Sequence, residues 1–218
     1  MKRSGCYLLW VLALCTLVST SPALNLAQSQ TGSSSPGGRV RLEVAPGTKA
    51  SFRVREQLAG FDLPSDAVGT TESVSGSLVV ASDGTVDQDG SKLTVDLTTL
   101  QSDQSMRDNY IKGRTLETEK FRNAEFVPRR VQGLTFPLPS SGKATFQLIG
   151  NMTVHGVTKE LTWSVAGVFA ADRVTGQATT SFPFSMFEMA IPKIARVLSV
   201  NDSIQLEIDF TLSRTAIP

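Results

Sequence analysis

Apolar and polar residues alternate along most of this chain, with the period of two that is typical of half-buried β-strands. The alternation is clearest where Ala144, Phe146 and Leu148 share one side of a run that continues to Val154. Turn signals such as Asp83-Gly84 separate successive runs. The pattern predicts strands at Arg39–Val44, Ala50–Glu56, Ser73–Ala81, Lys92–Leu100, Ala124–Val131 and Gly142–Val154, then a partner strand ending near Phe169, followed by Ala178–Met189 and Ile204–Leu212.

About eight such runs, each with one apolar and one polar face and joined by short turns, indicate a single antiparallel sheet. Such a sheet buries its apolar face in a sandwich or by closing into a barrel, and closure also removes exposed edges. Several runs span roughly ten residues, which favours long tilted strands and an up-and-down barrel. We also expect Gly76, Gly150 and Gly167 to face inward and to leave room for an apolar cavity.

One charge-rich stretch, Ser102–Pro128, interrupts the alternation and is expected to cross over one end of the barrel. Met106, Tyr110 and Ile111 lie three to four residues apart, which is the spacing of an apolar stripe on a short helix. Asp103 is expected to cap that helix, because a carboxylate there meets free backbone N–H groups.

A second irregular stretch, Gln57–Thr71, holds glycines and a proline among apolar residues. It is too long for a hairpin turn and too apolar to be an inert connection. We expect a loop that tucks Phe61 or Leu63 inward as a lid over the barrel.

The first 23 residues have the pattern of a secretory signal. Lys2 and Arg3 form a basic start, and the apolar core runs from Tyr7 to Val18. Small residues before the exit predict cleavage after Ala23, which places the mature chain in the periplasm or outside the cell.

A competing interpretation takes Leu12–Cys15 as a lipobox that would make the chain a lipoprotein, but Leu14 is bulky for the position before the cysteine. Residues 24–38 are rich in Ser, Gln, Gly and Pro and are interpreted as a flexible linker. The folded domain is therefore predicted at residues 39–214.

Removal of the signal would change both thiol content and charge. Cys6 and Cys15 would both leave with it, so no disulfide is expected in the mature chain. Loss of Lys2 and Arg3 leaves 19 of the 21 basic groups against 20 acidic ones, a net charge of −1. This balance argues against a nucleic-acid partner. No later apolar run approaches the roughly 20 residues that span a bilayer.

The sequence offers little of the usual catalytic equipment. The single histidine, His155, lies in a turn, where we expect it to pack or cap, with ligand contact as the alternative. Glu117 and Glu119 fall in the crossover and are expected on the solvated surface. No GxSxG, HExxH or glycine-rich phosphate loop is present. We therefore predict a protein that is not an enzyme and that uses no metal or cofactor.

Two interpretations of Arg107-Asp108 remain open. In one, Arg107 lies at the mouth of the cavity and binds an anionic head group, while Asp108 holds it or caps the adjoining turn. In the other, the two side chains tie the crossover to the rim of the barrel.

Three motifs follow one another along the predicted domain. They are Ser105-Met106-Arg107-Asp108 with Phe121 and Ala124-Glu125-Phe126 after it, the run GNMTVHGVTK from Gly150, and the closing segment Val200–Phe210. In order and spacing they resemble the YceI-like family of bacterial periplasmic proteins, over about Arg39 to Arg214. The resemblance implies an all-β fold, an extended eight-stranded antiparallel lipocalin-like barrel with one short helical crossover, which encloses a polyisoprenoid or other amphiphilic chain.

One segment departs from the family pattern. Where many members carry Arg-x-Asp-Phe-Gly, this chain has Phe184-Ser185-Met186-Phe187-Glu188. Only the Phe is kept, so a polar contact is lost and the cavity is expected to be more apolar.

These observations predict a protein that binds and sequesters or carries one long-chain amphiphile in the bacterial envelope. The ligand is expected to be a polyisoprenoid, a quinone or a related lipid, and transient membrane contact is expected. The alternatives are a ligand-free barrel for envelope stress or protein interaction, and a lipid-modifying enzyme that depends on His155. The residues expected to contact the lipid are Phe52, Arg107, Asp108, Tyr110, Phe146, Leu148, Met152, Trp163, Val165, Phe182, Phe184 and Phe187.

Overall fold

The computed structural model describes residues 38–60, 62–193 and 197–217. The predicted signal, residues 1–23, lies outside them, as does the predicted linker, residues 24–38, apart from Gly38. The strands are β1 (Arg39–Val44), β2 (Lys49–Leu58), β3 (Ser65–Thr71), β4 (Val74–Ala81), β5 (Val86–Asp96), β6 (Gln101–Ser102), β7 (Asn123–Gln132), β8 (Gly142–Val154), β9 (Val157–Phe169), β10 (Arg173–Phe182) and β11 (Val197–Ile217).

Among the described residues, helical structure is confined to short segments. One α-helix, α1 (Ser105–Tyr110), continues into a π-helical turn at Ile111–Thr115, and 3-10 turns occupy Leu97–Thr99 and Phe184–Phe187. No helix in the described part of the chain is long and apolar enough to cross a membrane.

Eight strands close into a ring in the order β1-β4-β5-β7-β8-β9-β10-β11, and β11 pairs back onto β1. The paired strands are antiparallel, so the predicted barrel is confirmed. The 13-residue strands β8 and β9 pair along their whole length, from Gly142 opposite Phe169 to Val154 opposite Val157. Since side chains alternate across a strand, one face of each strand fills the interior.

β11 is 21 residues long; it pairs with β10 along one edge and with two different strands along the other. Its C-terminal part pairs with β1, while its N-terminal part pairs with β2. Strands β2, β3 and β6 therefore extend the sheet beyond the ring at one end of the barrel.

The expected loop over Gln57–Thr71 is wrong in its second half, which forms β3 opposite β2. Gly69 is required there because the nearest ring carbon of Phe52 lies 2.2 Å from the place where a Cβ of residue 69 would be. The expected inward position of Leu63 is also wrong, since this side chain is 79% exposed. Phe61, the other residue expected to tuck inward, lies outside the described residues.

The crossover helix differs from its prediction in two ways. Asp103 does not cap α1, because the N-cap position is Gln104 and the carboxylate of Asp103 binds the guanidinium of Arg107. Met106 is 81% exposed, so it does not form an apolar stripe with Tyr110 and Ile111. Consecutive residues of an α-helix are about 100° apart, so turning Arg107 toward the barrel places Met106 on another side of the helix.

Two of the three glycines expected to create space fill another role. A Cβ at Gly76 would lie 1.9 Å from the carbonyl oxygen of Lys92, and a Cβ at Gly150 would lie 2.3 Å from that of Val127. These positions are occupied by neighbouring backbone, so the expected room is absent there. Only Gly167 has ordinary van der Waals distances, the nearest atom being 3.5 Å from its would-be Cβ.

The predicted strand Ala178–Met189 ends earlier than expected, because β10 stops at Phe182. The chain then passes into the 3-10 turn, in which Phe184 and Phe187 are buried. Their burial was predicted, but they are not placed by strand alternation.

Asp96 joins the end of β5 to the start of β7. Its carboxylate accepts hydrogen bonds from the backbone N–H of Thr98 at 2.9 Å and from the hydroxyl of Thr98 at 2.6 Å. It also pairs with Arg122 at 2.7 Å. These bonds hold the pKa of Asp96 below its usual value. The hydrogen bond from the Thr98 hydroxyl has the largest effect, and the one from Arg122 comes next.

Candidate functional site: two adjoining apolar cavities

Two adjoining cavities lie one inside the barrel and one at its crossover end. The first, of about 170 Å³, is lined mainly by the ring strands, with residues of β2 and of the 3-10 turn at Leu97–Thr99 also contributing, and is called here the barrel cavity. The second, of about 120 Å³, lies between the barrel and the helical crossover and is called the crossover cavity. Six residues line both of them, so the cavities meet at the side chains of Phe52, Leu97, Leu100, Ala124, Met152 and Leu206.

The walls of the barrel cavity are almost wholly apolar. Four residues with polar side chains contribute to its described lining, namely Thr48, Ser51, Glu125 and Glu207. The Thr48 hydroxyl donates to backbone oxygens, Glu125 pairs with Lys92 at 2.6 Å, and Glu207 pairs with Arg53 at 3.2 Å. Because Thr48 and both carboxylates already have partners, the cavity is suited to hydrocarbon rather than to a charged ligand.

Nine of the sequence-predicted site residues line these cavities. Those at the barrel cavity are Phe52, Phe146, Leu148, Met152, Trp163 and Val165. Those at the crossover cavity are Phe52, Arg107, Met152, Phe182 and Phe184. The alternation of β2, β8 and β9 places most of them, since every second side chain of a barrel strand faces inward.

Three of the sequence-predicted site residues line neither cavity. The carboxylate of Asp108 accepts hydrogen bonds from the backbone N–H and the hydroxyl of Ser102, at 2.9 and 2.6 Å. The hydroxyl of Tyr110 accepts the backbone N–H of Lys193 at 3.3 Å. Phe187 is fully buried in the core and packs edge-on against a neighbouring phenylalanine ring. All three hold the fold together at the crossover end.

A charged contact between two residues that line the crossover cavity joins Arg107 to Glu56 of β2, with 2.9 Å between nitrogen and oxygen. The Glu56 side chain is 6% exposed and that of Arg107 is 14% exposed. Asp103 occupies another nitrogen of the same guanidinium. Arg107 thus ties the crossover to β2, which favours the structural interpretation, and it already faces two carboxylates.

Glu56 was not predicted as a site residue, although the sequence carries a signal for it. Glu56 has the same parity along β2 as the apolar residues Phe52 and Val54, which line the crossover cavity. A charged residue in an inward register predicts a buried partner, because an unpaired buried charge is strongly unfavourable.

His155 lies in the β8–β9 turn with a positive φ of 51° and lines neither cavity. Its Nε2 is 3.5 Å from a carboxylate oxygen of Glu117, and its ring meets that of Phe121 edge-on. The expected packing role in a turn is confirmed. Lys120 foremost, and His155 less strongly, lower the pKa of Glu117. Among the described residues, no three side chains of His, Cys, Asp or Glu are grouped to hold a metal ion.

The sequence matches the family model described as the YceI-like domain over residues 43–212. The chain belongs to the YceI-like family. This match covers most of the barrel, from the end of β1 into β11.

Solved structures share the fold of this YceI-like chain. A polyisoprenoid-binding domain from Saccharophagus degradans, implicated in plant cell wall breakdown, has a TM-score of 0.61 at 11% identity, covering 80% of this chain and 98% of that one. BcnA of Burkholderia cenocepacia has a TM-score of 0.55 at 18% identity, covering 77% and 96%. The YceI protein of Campylobacter jejuni has a TM-score of 0.52 at 14% identity, covering 72% and 92%. At these identities the likeness concerns the fold. A comparison with curated protein sequences gives no match.

Proposed function

We propose that this YceI-like protein binds one long-chain isoprenoid-like lipid inside its barrel and sequesters or carries it in the bacterial cell envelope, without catalysing a reaction. The observation that carries the proposal is the pair of adjoining apolar cavities that meet at Phe52 and Met152. A flexible chain threaded past these two side chains would occupy both cavities. The description of one similar structure as a polyisoprenoid-binding domain supports this ligand class.

The expected affinity follows from the apolar surface that such a chain buries. Burying one methylene group is worth about 0.8 kcal/mol, so ten such groups contribute roughly 8 kcal/mol before ordering costs. This is enough for binding in the micromolar range or tighter. The ligand-free barrel is disfavoured because a barrel that only scaffolds other proteins has no need of unfilled apolar space.

Transient membrane contact is part of the proposal. Met106 and Leu198 are highly exposed, and each lies one or two residues from a residue that lines the crossover cavity, Arg107 and Val200 respectively. Exposed apolar side chains beside a lipid cavity are suited to contact with a bilayer surface. Replacing Met106 and Leu198 together by serine should reduce flotation of the protein with phospholipid vesicles, and unchanged flotation would remove this part of the proposal.

Native mass spectrometry of the full chain, purified from its envelope fraction without detergent, tests the proposal. We expect a bound species whose extra mass, after extraction, proves to be an isoprenoid lipid or quinone. A protein that arrives empty and takes up neither class of lipid when these are added would overturn the carrier function.

A further inference from the structure

Two buried side-chain atoms lack a hydrogen-bond partner in the part of the chain that the structure describes, Nδ1 of His155 and Nε1 of Trp163. The first belongs to the β8–β9 turn, away from both cavities. The second belongs to a side chain that is 4% exposed and lines the barrel cavity. An indole N–H is a donor only, so nothing but an acceptor satisfies it.

The surroundings of Trp163 explain why the protein itself provides no acceptor. Leu148 lies directly across the β8–β9 pairing, and the ring of Phe126 meets the indole at 6.1 Å between centroids and 68° between planes. Neither side chain carries an oxygen or nitrogen atom. Buried polar atoms in folded proteins are nearly always hydrogen-bonded. Nε1 itself has almost no exposed surface, but it belongs to a side chain that lines the cavity, so its missing acceptor points to a group that the occupant brings as the wall adjusts around it.

The charges of the cavity restrict what that group is. The described lining of the barrel cavity contains no Lys, Arg or His side chain, and both of its carboxylates are paired with cations. A phosphate buried here would have no counter-charge, and its desolvation would be strongly unfavourable. An uncharged oxygen, by contrast, needs only a single donor.

We propose that the indole N–H of Trp163 donates a hydrogen bond to an uncharged oxygen of the bound lipid, a carbonyl oxygen in particular. This inference rests on the proposed lipid-binding function and restricts the class of lipid that binds. The ligand is then a carbonyl-bearing isoprenoid whose polar group enters the barrel cavity. It is neither a plain hydrocarbon nor a lipid phosphate, which would leave its polar group beside Arg107. Trp163 is thus a specificity-determining residue.

The test uses the full chain carrying Trp10→Phe. The sequence has two tryptophans, so the indole of Trp163 then gives the only tryptophan side-chain signal. The probes are geranylgeranylacetone, which is an isoprenoid ketone, squalene, which has no oxygen, and geranylgeranyl diphosphate. In ¹H–¹⁵N correlation spectra we expect the ketone to shift the indole proton downfield, as hydrogen bonding does, and squalene to leave it nearly in place.

Affinities provide the second readout. Adding Trp163→Phe removes the N–H but keeps an aromatic wall, so affinity for the ketone should fall about tenfold while affinity for squalene stays the same. The diphosphate should bind more weakly than the ketone to the parent chain. Phe146→Leu, another wall change that removes no N–H, is the matched control and should weaken the ketone and squalene alike.

The possible failures are distinguishable. An unmoved indole signal with bound ketone, equal losses for ketone and squalene in the Trp163→Phe chain, or tighter binding of the diphosphate would overturn the role of Trp163 and leave lipid binding intact. If none of the three probes binds the parent chain, the proposed lipid-binding function fails, and this inference fails with it.

Discussion

Replacing Ala124 by a larger residue is the most direct way to fill the proposed site without removing any interaction. It lies on β7, is buried, and lines both the barrel cavity and the crossover cavity where they meet. Ala124→Leu places about three further carbon groups at this junction. At about 0.8 kcal/mol for each ligand methylene that they displace, the ligand loses about 2.4 kcal/mol, or about 50-fold in affinity.

The fold should tolerate this change, because the added side chain enters existing space. Burial of the three groups contributes about 2.4 kcal/mol to stability, and overpacking typically costs about 1–3 kcal/mol, so the net change should lie between about 0.6 kcal/mol of destabilisation and about 1.4 kcal/mol of stabilisation. The assay pairs equilibrium binding of tritiated geranylgeraniol with urea unfolding. Ala166→Leu, on the outer face of β9, is the matched control and should leave binding unchanged.

The reasoning would be refuted if the Ala124→Leu chain were folded and bound geranylgeraniol as tightly as the parent chain. Such a result would mean that the ligand does not pass the junction between the cavities. Loss of binding in the Ala166→Leu control would also count against it, because that change leaves both cavities intact.

Three other substitutions test separate parts of the structure. Phe187→Ala should lower the free energy of unfolding by about 3–5 kcal/mol, measured in urea, because it empties a fully buried site, while added lipid still binds because Phe187 lines neither cavity. Glu56→Gln should cost about 1–3 kcal/mol in the same assay, since it leaves the half-buried guanidinium of Arg107 with one carboxylate fewer, and an unchanged free energy of unfolding would contradict this. The pKa of Asp96 is lower in the folded chain than its usual value of 3.8, so its stabilisation is complete above that pH and is lost as pH falls through the lower folded value. The urea midpoint of Asp96→Asn, measured between pH 2 and pH 6, should therefore fall less steeply toward acid pH than that of the parent chain. Parallel pH curves for the two chains would contradict this.

The long central strands show how far the alternation of the sequence predicts the fold. β8 and β9 pair along their full length as predicted, because the register of a half-buried strand is fixed by which face is apolar. β3 escaped prediction because Gly69 looks like a loop residue, whereas it makes room for the ring of Phe52 on the next strand. A contact between distant residues is not visible in a local pattern.

The candidate site was predictable from the sequence to about the same extent as the fold. Strand parity correctly placed Phe146, Leu148 and Trp163 at the cavity wall. It does not apply to a helix of six residues, so the outward position of Met106 was missed. The space itself was attributed to glycines that are in close contact with neighbouring backbone, since a sequence indicates side-chain size but not how strands approach one another.

The most direct test of the central claim is a crystal structure of the full chain purified with its native lipid. We expect continuous electron density for one unbranched or isoprenoid chain running from the crossover cavity, past Phe52 and Met152, into the barrel cavity. An interior filled only by protein side chains, with any lipid lying on the outer surface of the barrel, would contradict the account.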